Sequence, residues 1–259
     1  MPRRTNTKDK EPTPPSRAQD QPAADSPEPI EVVHLEFGEF PQVNRLNPRF
    51  VPRRERLKLT LDVHPPCDPA LAAPPALIEP LSSLLPGLHR HRCGENGRIS
   101  ETTLRRARKG EPAGEQSADV AHLLEHIIID FQHEIAAMKI CSGVTCGYER
   151  PRNRYDVFIE SPGQRVSRLC ITMACELMNG LLKGQHPDPL YVRIVRLARR
   201  IYRNGSAPIA AGHGDGDSQT AAALRVLREL NFVEEMDASI NFSRVPLYCL
   251  IEDNGNLKS

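Results

Sequence analysis

Five residues carry the sharpest chemical pattern in the chain: His122-Leu123-Leu124-Glu125-His126. On an α-helix, positions i and i+4 share a face, with Cβ atoms about 6 Å apart. Two imidazoles so placed can grip one Zn²⁺. Glu125, one residue before the second His, can hold and deprotonate a water whose pKa zinc lowers to about 7. The order H-x-x-E-H inverts the H-E-x-x-H zinc motif. The same spacing also suits a helix that merely turns polar residues to solvent, so the surrounding helix decides between the two. A catalytic zinc takes a third protein ligand and keeps one open position. Cys93, His91, His89, Glu134, Glu160 and Glu176 are candidates, and spacing does not choose among them. His133 lies seven residues past His126, about 10 Å along the axis. It therefore reads as a surface or pocket residue.

Other reactive groups point to blander roles. Arg residues cluster in 45–56, 90–108 and 193–203. They can bind carboxylates or phosphate, but neighbouring acids balance many of them, which reads as solvated surface. Arg105, Arg106, Arg108 and Lys109 are the densest group and lie beside the motif in sequence, placed to grip an anionic chain. Cys141 and Cys146 lack the spacing of a zinc knuckle, and Cys170 and Cys175 read as packing residues. No G-x-x-x-x-G-K-[ST] phosphate loop occurs, and GHGDGDS (212–218) reads as a flexible loop.

The motif needs a helix, and the sequence supplies one from Ala118 to about Ala137. Ser117 can cap it and Asp119 lies in its first turn. Val120, Leu123, Leu124, Ile127, Ile128, Phe131 and Ile135 form its apolar stripe. Strands are expected at Ile30 to Phe37, at Leu57 to Val63 with clean alternation, and at Arg154 to Ser161. Lys139 to Arg152 reads as a connection. Helices are expected at Ala76 to Leu85, near Thr102 to Arg108, and from Gln164 to about Leu182. The fold class is α+β, a small sheet packed against helices. Residues 1–29, rich in Pro and charge and without aromatics, form a disordered tail. Residues 30–185 form the main domain. Residues 186–259 form a small appendage: a helix bearing Leu190, Ile194, Leu197 and Ile201, a loop, a helix from Ser218 to Leu230, then a hairpin through Phe232-Val233 and Val245 to Ile251. That order is winged-helix-like.

Composition excludes several classes. The 259 residues carry 34 Lys+Arg against 33 Asp+Glu, a net charge of +1, so nothing in the balance demands a nucleic acid or a membrane. A nucleic-acid partner enters only through the C-terminal appendage. No apolar run approaches the roughly 20 residues of a transmembrane helix, and no secretory signal opens the chain. Seven scattered Cys are no disulfide framework. A cytoplasmic location is expected.

Three stretches together resemble the N-terminal domain of cyanophycin synthetase: PLSSLLPGLHRHRC (80–93), DVAHLLEHIIIDFQHEIAAM (119–138) and RYDVFIES (154–161). LEFGEF and LKLTLDV fit its first strands. The resemblance spans roughly residues 30–182. The segment 183–259 is too short for the synthetase's ligase domains, so a free-standing relative of one domain is expected. Cyanophycin is a polyaspartate chain with arginine on each side-chain carboxylate. In the family this domain anchors the polymer, and in some members it cuts it. Carried over by position, the resemblance implies Cys93, His122 and His126 as metal ligands and Glu125 as general base, with His91 contacting a ligand rather than the ion. The expected function is a zinc-dependent hydrolase of peptide or isopeptide type. Its substrate would be a cyanophycin-like Asp/Arg polymer or related peptide. The alternative is a non-catalytic polymer-, DNA- or partner-binding module with a structural or vestigial metal.

Overall fold

A computed structural model of the chain describes residues 27–64, 69–72, 74–88, 91–93, 97–98, 116–204 and 218–233. Four antiparallel strands form the main sheet: β1 (Ile30–Gly38), β2 (Arg56–Val63), β5 (Gly143–Gly147) and β6 (Arg154–Glu160), in the order β1-β2-β6-β5. A separate ribbon pairs β3 (Arg92–Cys93) with β4 (Gly97–Arg98). The helices are α1 (Pro74–Leu84), α2 (Gln116–Ala136), α3 (Gln164–Leu182), α4 (Leu190–Asn204) and α5 (Ser218–Glu229). This is the α+β class expected from the sequence.

Alternation sets the register. Leu57, Leu59 and Leu61 of β2 stand opposite Ile159, Val157 and Tyr155 of β6, and all six side chains are buried. Cross-strand apolar pairs of this kind stabilise a sheet by roughly 0.2–1 kcal/mol each beyond Ala–Ala. A one-residue slip would turn every one of them outward. β1 is anchored by a side chain rather than by a further strand. The Ile30 N–H donates to Asn179 Oδ1 at 2.7 Å, and Asn179 Nδ2 donates to the Ile30 carbonyl at 3.1 Å. Gly184, at φ 78°, follows α3 and takes the left-handed turn that closes it.

α2 touches β2, β5 and β6 as well as α3 and α4. The expected apolar stripe is buried, but so is everything else from Leu123 to Gln132. Glu125, His126, Asp130 and Gln132 are 4%, 5%, 2% and 0% exposed. These four polar residues are therefore not a solvent face. The helix begins at Gln116, so Ser117 stands inside the first turn rather than at its cap.

Three further expectations change. Residues 143–147, read as part of a connection, form the edge strand β5. Arg56, read as one of a solvated group, is 1% exposed. Its guanidinium donates to the carbonyls of Glu39, Phe40 and Val51 and to Asn44 Oδ1, and it stacks on Phe50. It organises the loop between β1 and β2. Glu160, one of the candidate ligands, is also spent on structure. It accepts from the Val51 and Ser142 N–H groups and pairs with Arg54.

In α4, Leu190, Tyr191, Ile194, Ala198 and Ile201 are buried on one stripe. They join the same hydrophobic core as the sheet, α2 and α3, as do Ala223, Val226 and Leu227 of α5. Among the described residues no helix is long and apolar enough to cross a membrane. The tail through residue 26, the 102–108 helix with Arg105, Arg106, Arg108 and Lys109, the 212–217 loop and the Val245 to Ile251 strand lie outside the described residues.

Candidate metal centre

His122 and His126 lie one turn apart on α2, and the helix brings their Nε2 atoms to 3.2 Å. Their rings are 4.9 Å apart and tilted by 58°. Two nitrogens held at about 2.0–2.1 Å by one tetrahedral zinc stand about 3.3 Å from each other, so the pair fits a shared ion. A carboxylate oxygen of Glu125 joins them, the three ligand atoms all lying within 4.8 Å of one another.

The surroundings are dry. Burial pushes the Glu125 carboxyl up to about 7, and the Thr145 hydrogen bond is what opposes that rise. Burial, then the neighbouring His122 and His91, hold the His126 imidazole well below its ordinary pKa. A neutral imidazole keeps a lone pair for a metal. A divalent cation would favour the ionised carboxylate that burial alone disfavours. A neutral His126, a second imidazole one turn away and a buried acid are thus a donor set suited to a cation.

β5 positions Glu125. Gly143 and Thr145 are two residues apart and so project to one face of the sheet. Thr145 Oγ1 donates to Glu125 Oε2 at 2.5 Å. At Gly143 there is no side chain, and a Cβ there would lie 2.5 Å from Glu125 Oε1. The strand supplies a donor for one carboxylate oxygen and space for the other.

His91 stands just after the turn that follows α1. Its Nδ1 lies 3.3 Å from His126 Nδ1, and its Nε2 lies 2.9 Å from Asp130 Oδ1. Asp130 continues the i, i+4 row of His122 and His126. The turn at Gly87 packs directly on it, where a Cβ would overlap the carboxylate.

Of the predicted site residues, His122, Glu125 and His126 therefore meet, and His91 touches His126. Cys93 belongs to β3, two residues past His91, and its side chain lies outside the described residues, as does His89. Glu134 pairs with Arg199 of α4 instead, and His133 is exposed as expected. Cys170 and Cys175 pack in the core, and burial raises both thiols, Cys175 to about 12. Sequence reasoning missed Asp130, Thr145 and Gly143. The four-residue step from His126 was a usable signal for Asp130. Nothing local marked Thr145 or Gly143.

Residues 58–183 match the family model of the cyanophycin synthase-like N-terminal domain. No curated protein matches the chain. The matched span runs from β2 to the end of α3 and holds every residue of the cluster. The segment that builds this centre is thus the one similar to the cyanophycin synthase-like N-terminal domain.

Proposed function

We propose that this domain is a zinc-dependent hydrolase of peptide or isopeptide bonds, acting on a cyanophycin-like Asp/Arg polymer or a related peptide. The observation that carries the reading is the 3.2 Å approach of His122 and His126 Nε2 beside a buried glutamate, within a domain of this family. Cys93, His122 and His126 would hold the ion. Two residues of chain span at most about 7 Å, so Cys93 stays close to His91, which itself touches His126. A bound zinc supplies Lewis acidity toward the scissile carbonyl and acidifies water.

Glu125 does the proton work. Thr145 ties down Oε2, leaving Oε1 to accept the proton of the attacking water. The carboxyl, pushed up to about 7 by burial, can take that proton near neutral pH and return it to the departing amine. The water oxygen bonds to the carbonyl carbon, the C–N bond breaks, and the proton leaves with the nitrogen. Burial of Glu125 and His126 keeps bulk solvent away from this exchange.

One observation favours a second reading. A Glu125 oxygen sits close enough to both histidines to be a ligand itself. If it binds the ion with Cys93, the site is closed and the domain is a polymer- or partner-binding module with a structural metal. Glu125→Gln separates the two. The hydrolase reading expects about one zinc per chain in wild type and variant alike. It also expects cyanophycin and β-Asp-Arg peptide hydrolysis to fall by 10²-fold or more in the variant. Hydrolysis that survives the substitution, or wild-type protein without zinc, overturns it. Loss of zinc with the substitution supports the closed site.

A further inference from the structure

We infer that His91 and Asp130 act as positioning residues that fix the proton of His126 on Nδ1, and so keep its Nε2 open to the metal. The inference rests on the metal reading above and adds to it Asp130 and the placement of the protons. A neutral imidazole carries one N–H, and the hydrogen bond at one ring nitrogen determines the state of the other.

An ion on His126 Nε2 leaves the chain of contacts one proton arrangement. The proton of that ring then sits on Nδ1, which faces His91 Nδ1 at 3.3 Å and donates to it. His91 Nδ1 accepts, so its own proton sits on Nε2. That nitrogen lies 2.9 Å from Asp130 Oδ1, and a carboxylate oxygen accepts there. His126 Nε2 is left with its lone pair, pointing toward His122 Nε2 at 3.2 Å. Reversed polarity would put a proton on His126 Nε2, against His122 and in the place of the ion.

The surroundings hold this chain in place. Asp130 is 2% exposed, and its second oxygen is buried without a hydrogen-bond partner among the described residues. The bond to His91 is thus the polar contact its buried carboxylate makes there. The i, i+4 row of α2 sets Asp130 one turn from His126, and the bare Cα of Gly87 lets the turn close over it. Carboxylates that orient a metal-bound histidine are worth about 10–100-fold in metal affinity. Here the carboxylate would act through an intervening imidazole.

The test uses full-length protein with ¹⁵N-labelled histidine, and compares wild type, His91→Leu, His91→Gln and Asp130→Asn. Long-range ¹H–¹⁵N spectra of the metal-free protein report the tautomers. Zinc affinity is measured by chelator competition. Wild type should show His91 protonated at Nε2 and His126 at Nδ1. His91→Leu should lose the His126 preference and bind zinc about 10–100-fold more weakly. His91→Gln can accept from His126 through its carbonyl and donate to Asp130 through its amide, so it should restore affinity to within a few-fold. Asp130→Asn, whose amide can donate, should mix the tautomers and weaken zinc. A purely structural role predicts that Gln and Leu fail alike. The inference is overturned by that result, by the opposite tautomers in wild type, or by undiminished zinc affinity in His91→Leu. His122→Ala is the control for the metal reading. If it binds zinc as wild type does, that reading falls, an outcome distinct from the other three.

Discussion

The centre depends on a carboxylate kept dry at its own cost. Glu125 is buried against a strand that offers one hydroxyl and one missing side chain. Gly143→Ala would press a methyl group onto Oε1. We expect a stability loss of about 1–3 kcal/mol in urea titration, as for overpacked sites, with turnover falling further than zinc content. Thr145→Val keeps the shape and removes the donor. It should leave zinc bound and slow hydrolysis, because the carboxylate is no longer held by Oε2. Steady-state kinetics beside metal analysis would separate these effects. Unchanged turnover in both variants would mean that β5 does not position the base.

At the level of elements, the loop between β1 and β2 is organised by a cation that never reaches solvent. Arg56 satisfies three carbonyls and Asn44 and lies under Phe50. Arg56→Met would strand those acceptors in a buried setting, at a cost of about 2–4 kcal/mol, readable as a lowered denaturation midpoint. The sequence showed a run of arginines and could not show that one of them turns inward. What it did show came from strong periodicity. β2, β6, α2, α3 and α4 each repeat apolar residues over two or more turns or pleats, and the limits of the first four were legible to within a residue or two. β5 has only Val144 and Thr145 between glycines and cysteine, too few to alternate, and its pairing with β6 is a tertiary fact. The burial of residues 123–132 on every side of α2 was hidden for a similar reason. Its stripe was readable, but Glu125, His126, Asp130 and Gln132 look like a wet face until α3, α4 and the sheet are all in place. The approach of His122 to His126 was legible, since i and i+4 are fixed by helix geometry alone.

Across the whole molecule, α2 is the shared element. It carries the row that could hold a metal, lies against the sheet, and packs on α4, which is outside the matched span of residues 58–183. Ile194 of α4 is wholly buried in the common core. Ile194→Ala should cost about 2–5 kcal/mol and should lower the unfolding midpoint of the metal centre together with that of the remaining fold. Denaturation followed by both far-UV signal and zinc release would show one transition if α4 supports the centre. Two transitions, with zinc release unmoved, would show that it does not. A bound ion would also tie the β3 ribbon to α2, since Cys93 and the two histidines come from separate elements. Zinc-edge X-ray absorption of the loaded full chain tests that ligand set most directly. The prediction is one sulfur at about 2.3 Å and two imidazole nitrogens at about 2.0–2.1 Å. The sulfur should vanish in Cys93→Ser, and the shell should stay intact in Glu125→Gln. A shell without sulfur, or one that loses an oxygen in Glu125→Gln, would contradict a catalytic centre with Glu125 as its base.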